Sequence, residues 1–168
     1  LLQLISFSAF FLDGFAFVAE SFVGRAIGGG RRDLFVHAVR RTSELALLTA
    51  IGLAAAVALG GGVVIRALTD LPSVRGEAQL FLPWCVAYVL LSVAAFQLDG
   101  VFIGATATRD MRNAALISAT TFIAAGSQLV RQFQNHGLWL AFVGYVVVRA
   151  LTLAVRYPAV LRRATVPA

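Results

Sequence analysis

Two carboxylates stand inside otherwise apolar sequence. Asp99 lies in Phe96-Gln97-Leu98-Asp99-Gly100 and Asp13 in Phe10-Phe11-Leu12-Asp13-Gly14, so both carry a Phe-x-Leu-Asp-Gly core. The repetition is wider than the core. At an offset of 86, Ser6, Ala9, Phe10, Leu12, Asp13, Gly14 and Ala19 recur as Ser92, Ala95, Phe96, Leu98, Asp99, Gly100 and Ala105. A carboxylate in hydrocarbon costs roughly 2.5–3.5 kcal/mol on insertion scales, and such residues mark ion or substrate paths. Desolvation favours the neutral acid and a nearby cation favours the charged one. An acid held between these influences can exchange a proton for a cation.

Helical spacing adds companions to each acid. Ser6, Asp13 and Glu20 are seven residues apart and share one face of a helix, as do Ser92, Asp99 and Thr106. The candidate ion-coupling and substrate-cavity residues are therefore Asp99, Asp13, Glu20, Thr106 and Ser92. The plainer alternative is that each acid pairs with an Arg or a hydroxyl on another helix. Glu20 has Arg25 nearby in sequence for that purpose. Arg149, deep in the last apolar run, is a candidate for a structural ion pair with a helical acid, or for snorkelling to the interface.

The elements that position these residues are transmembrane helices. Of 168 residues, 60% are hydrophobic and only 13% charged, against roughly a quarter charged in soluble domains. The mean hydropathy is +0.85. A spanning helix needs about 20 apolar residues, and five segments qualify, at approximately 1–27, 44–66, 80–107, 113–130 and 138–157. The expected fold is all-α, a polytopic bundle of about five helices forming a single membrane domain over 1–168.

The net charge of +6 comes from fourteen Arg, no Lys and eight acids. The Arg residues gather in short links, so the basicity fits membrane topology rather than nucleic-acid binding. The first link holds Arg25, Arg31, Arg32, Arg40 and Arg41 against Asp33, and the third holds Arg109 and Arg112. The second balances Arg66 and Arg75 with Asp70 and Glu77, and the fourth has Arg131 alone. Arg156, Arg162 and Arg163 follow near the end. Basic and neutral links alternate, so the positive-inside rule starts the first helix outside and leaves the C-terminus in the cytoplasm.

Local signals mark helix ends. Thr42, Ser43 and Glu44 read as cap and acid for the second helix. Gly28-Gly29-Gly30 reads as a stop after the first, and Gly60-Gly61-Gly62 as a flexible or kinked point. Pro72 falls in a link, Pro83 in the first turn of the third helix, and Pro158 at the close of the fifth. Gly24-x-x-x-Gly28 and Gly100-x-x-x-Gly104 have the spacing of close helix packing. Trp84, Trp139, Tyr88 and Tyr157 read as interfacial anchors. Cys85, the one cysteine, reads as a small packing residue, and His37 and His136 as solvated link residues without metal spacing. No phosphate loop, His-Glu-x-x-His or Gly-x-Ser-x-Gly motif is present, so neither an enzyme nor a bound cofactor is expected.

The runs Phe10 to Arg25, Phe96 to Asn113 and Asn135-His136-Gly137-Leu138-Trp139-Leu140-Ala141-Phe142 resemble the multidrug and toxic compound extrusion (MATE) family, in particular its DinF-like branch. Such proteins have two six-helix lobes. Five helices with the first running inward resemble helices 8–12, a partial C-terminal lobe, with the N-terminal lobe as a missing partner. The resemblance implies secondary active transport: a multidrug efflux antiporter driven by Na+ or H+, the ion being transported rather than held as a cofactor. It implies small, cationic amphipathic substrates and a bilayer environment. Asp99 falls where the tenth helix of that family carries an acid implicated in cation binding, and Asp13 where the eighth carries one in the DinF-like branch. Alternatives are a lipid-linked oligosaccharide flippase of the same superfamily, which favours a cationic cavity, and a non-transporting scaffold or gene remnant, which expects both acids buried in partners. The Ala, Gly, Val and Arg usage points to a bacterial genome, hence a multi-pass protein of the inner membrane.

Overall fold

The computed structural model describes residues 1–164. Within them the protein is helical throughout: α1 (Leu2–Gly28), α2 (Arg32–Leu68), α3 (Pro72–Gly104) and α4 (Thr108–Arg163). All four are long and apolar enough to cross a membrane. A straight helix of the 56 residues in α4 would be roughly 84 Å long, far beyond a hydrocarbon core of about 30 Å. It is not straight. Gln134 has φ 49° and ψ −125°, and the chain turns back there.

Contacts between the two arms of α4 establish an antiparallel hairpin. A Cβ on Gly126 would lie 3.4 Å from that of Ala141, and one on Gly137 would collide with the backbone of Leu129. Phe122 meets Tyr145 edge-on at 6.2 Å. Gly137 allows the second arm to leave the turn directly against the first. Where the sequence suggested about five helices, the structure has four, the last of which folds back on itself at Gln134.

α3 is the central element, packing on α1, α2 and α4. Its contact with α1 depends on missing side chains. A Cβ on Gly100 would collide with the backbone of Ala16, and one on Gly104 with that of Glu20. Gly24 fits against the Gly104 carbonyl, whereas Gly28 has open space around it. The Gly100/Gly104 pair therefore permits backbone contact, as its spacing suggested. The register, Ala16 to Gly100 and Glu20 to Gly104, makes α1 and α3 parallel. Along the second arm of α4, Phe142 stacks on Tyr88 and Arg149 reaches Asp99, so that arm is parallel to α3 as well.

Residues packed between helices are small, aliphatic or aromatic. At one end Ala19, Val23, Phe35, Phe102, Leu153 and Val160 form the largest buried cluster, and at the other Ile5, Val57, Phe81, Cys85 and Trp139 form a second. Outward surfaces are apolar too: Leu59 is 86% exposed and Val155 78%. That surface is suited to lipid rather than water.

Helix ends depart from the sequence reading where hydropathy was used to place them. α2 begins at Arg32 rather than near 44, because the basic link is itself helical. Phe35, fully buried and 6.0 Å from the Tyr157 ring, pins that extension, and Arg40 and Arg41 bind Glu44 one turn on. Thr42 is consequently no cap: inside the helix, it donates to the Ala38 and Val39 carbonyls. Pro72, not Pro83, occupies the first turn of α3, and both Pro83 and Pro158 lie within helices. α2 continues through Gly60–Gly62, where Gly61 lets Leu82 approach closely. The stop after α1 holds: Gly30 has φ 61°, and Arg31 N–H donates to the Ala26 carbonyl.

Candidate functional site

Both repeated acids lie within apolar helices, Asp13 close to the centre of the 27-residue α1 and Asp99 in the last turns of α3. The parallel register of α1 and α3, Ala16 against Gly100 and Glu20 against Gly104, brings the two acids to nearly the same level. Their immediate surroundings differ.

Asp99 is tied to Arg149. The guanidinium Nε donates to both carboxylate oxygens, at 3.1 and 2.9 Å, and Nη2 donates to Oδ1 at 2.8 Å. A forked charge-assisted contact of this kind fixes orientation as well as distance. The Arg149 and Asp99 side chains are 15% and 24% exposed, so the pair is mostly withdrawn from the surface. It borders a cavity of about 280 Å³ lined also by Tyr88, Phe96 and Tyr145. The helix packing beside it is close, through Ala95, Val146 and Ala150.

Asp13 has no hydrogen bond or ion pair among the described residues. It belongs to a stripe along α1, Ser6, Phe10, Asp13, Phe17 and Glu20, whose three-and-four-residue spacing forms one face. Phe10 is 75% exposed and Phe17 67%. Half-buried acids thus alternate with exposed aromatic side chains along this face of α1. Glu20 is likewise without a partner among the described residues. Arg25 instead lies 4.5 Å above the Phe22 ring.

The remaining candidates are dispersed. Ser92 is buried, with its hydroxyl donating to the Val89 carbonyl. Thr106 is not on the Asp99 face: α3 ends at Gly104, and Thr106 occupies the turn with φ 51°, its hydroxyl donating to Ala105 O. The expectation that Ser92, Asp99 and Thr106 share a helix face fails at its last member, because the helix stops short of it.

Several polar residues beyond the predicted set organise the surroundings. Gln97, almost fully buried, donates from Nε2 to the Thr42 carbonyl, while its Oε1 has no partner among the described residues. An amide beside the repeated Asp in an apolar run was visible in the sequence. Asp110, at the start of α4, receives Arg156 at 2.9 Å and lies 4.0 Å from Arg163, closing one end of the bundle. Nothing in the periodicity announces that pairing. His136 is exposed, as expected, but lies within α4 rather than in a free link: its Nδ1 accepts the Trp84 indole N–H at 3.1 Å, and its ring lies 4.7 Å from Phe81. His37 lies on α2, exposed.

These features define a polytopic helical membrane protein with intramembrane acids of unequal pairing. Comparison with known proteins gives the family. The MatE family model matches residues 1–128. The DNA damage-inducible protein F of Escherichia coli (strain K12) is 35% identical over 158 residues, covering 92% of this chain and 33% of that protein. The chain belongs to the MatE family, on its DinF-like side, and spans about a third of the length of this curated relative. No solved structure matches.

Proposed function

We propose that this chain is part of a cation-coupled secondary transporter, corresponding to helices 8–12 of a MATE protein, that exports small amphipathic cations. The observation that carries this reading is the unpaired Asp13 within the exposed aromatic stripe of α1. An acid without an internal counter-ion can accept a proton, a sodium ion or a cationic substrate, and flanking Phe rings offer apolar and cation–π contact. Asp99 supplies a second carboxylate whose charge Arg149 balances. The two acids and one Arg leave the region with an acidic excess, whereas a flippase for an anionic lipid-linked sugar would favour a cationic one. A scaffold in which both acids are buried in partners accounts for Asp99 but not for Asp13.

Under this reading the apolar face of α1 looks toward a cavity shared with the other lobe, and the protein sits in the bacterial inner membrane with Arg112 and the C-terminus on the cytoplasmic side. The mechanism is exchange at the carboxylates rather than bond chemistry, and no enzymatic step is involved. Vesicles containing the full-length protein test it. Imposing a sodium or a proton gradient should drive movement of a fluorescent lipophilic cation. Movement indifferent to both gradients would remove the coupled-transport reading.

A further inference from the structure

We propose that the cleft between the end of α1 and the first turns of α2 binds the phosphate headgroup of an anionic phospholipid. The cleft has a volume of about 500 Å³, and its walls include Phe22, Arg25, Ala26, Leu34, His37 and Arg41. Cationic and apolar groups are divided in the way that a lipid headgroup with its acyl chains requires. Basic pockets between membrane helices recognise such headgroups through charge and hydrogen-bond donors.

The local charges leave room for an anion. Arg25 has no acidic partner among the described residues and lies over Phe22, which orders the guanidinium without neutralising it. Arg41 shares the single carboxylate of Glu44 with Arg40, leaving the pair one positive charge in excess. Asp33, the other nearby acid on α2, is engaged by Arg31. Glu20, further up α1, faces the acid-and-aromatic stripe rather than contributing to the cleft wall.

The apolar wall favours a lipid over free phosphate. Phe22 and Leu34 are 46% and 42% exposed, too open to be core residues, and both border the cleft. The cleft lies where the apolar run of α1 gives way to the basic start of α2, the level of a phospholipid headgroup. The complementary charge and the adjoining exposed apolar side chains therefore commit the site to an anionic phospholipid. It does not depend on what the transporter carries.

The test is lipid retention by the full-length protein, read by native mass spectrometry in detergent supplied with phosphatidylglycerol or phosphatidylcholine. Phosphatidylglycerol should be retained preferentially. Arg25→Gln and Arg41→Gln should each weaken that retention about fivefold, the effect of one basic side chain near a charged headgroup. Arg112→Gln, an exposed charge outside the cleft, should change it little. Leu34→Ser should weaken lipid retention as well, and inorganic phosphate should compete poorly. Equal retention of both lipids by the unmodified protein would overturn the proposal without recourse to any variant. So would an equal loss from Arg112→Gln, which would indicate diffuse surface charge, or full displacement by inorganic phosphate, which would indicate a site for the free anion.

Discussion

Asp13 and Asp99 stand in the same five-residue motif, yet one is open and the other is held by a forked guanidinium. Removing that guanidinium with Arg149→Met leaves Asp99 uncompensated. Breaking a buried ion pair costs roughly 3–5 kcal/mol, whereas intramembrane hydrogen bonds average about 0.6, so a loss of about 2 kcal/mol suits this partly exposed pair. Unfolding in mixed micelles should show that loss, and Asp99→Asn combined with Arg149→Met should restore part of it. If the loss in the double variant equals the sum of the losses from Asp99→Asn and Arg149→Met measured singly, the two side chains are not energetically coupled. The repeat identified both acids from sequence because a charge in an apolar run stands out. It could not assign Arg149 to Asp99, fifty residues away, since that pairing depends on how the second arm of α4 lies along α3. Thr106 was misassigned for a local reason: heptad spacing assumes a continuing helix, and this one ends at Gly104.

At the level of the helices, the packing of α1 on α3 turns on two glycines. Gly100→Ala would drive a methyl into the Ala16 backbone, which cannot move aside as a flexible side chain would. Overpacking of this kind costs roughly 1–3 kcal/mol. Gly14, the repeat equivalent of Gly100, has open space where a methyl would project, with no neighbouring atom within 4 Å. Gly14→Ala should therefore be neutral, or stabilising by up to about 1 kcal/mol through helix propensity. Unfolding midpoints of the two variants in the same micelles compare the sites directly, and equal shifts would contradict the crossing described. Hydropathy indicated an all-helical membrane bundle but not the helix ends, because it reports where apolar surface is needed rather than where backbone hydrogen bonding stops. The twelve residues of α2 before Glu44 are too polar to register as a span, yet Phe35 docks them into the core. The reversal at Gln134 was legible only as a gap between apolar runs, since its positive φ leaves no glycine or proline signature at that position.

For the whole molecule, the proposed orientation in the membrane rests on the alternating charge of the links. With Cys85 replaced by Ala, Arg112→Cys should react with an impermeant maleimide only from the cytoplasmic side, and Asn135→Cys only from the outer side. The opposite labelling would invert the orientation. The mixture of parallel and antiparallel helices brings both acids to nearly one level, and it leaves Phe10 and Phe17 exposed beside the half-buried Asp13 and Glu20. Sequence indicated which residues carry charge within the membrane, while the difference in pairing between the two acids came only from the packing. That difference is the centre of the functional account. The most direct test is gradient-driven movement of a lipophilic cation by the full-length protein in vesicles, comparing Asp13→Asn with the unmodified form at equal insertion. The account predicts that Asp13→Asn abolishes the gradient-dependent component. Unchanged gradient-driven movement would contradict it, since the open acid would then carry neither the coupling ion nor the substrate.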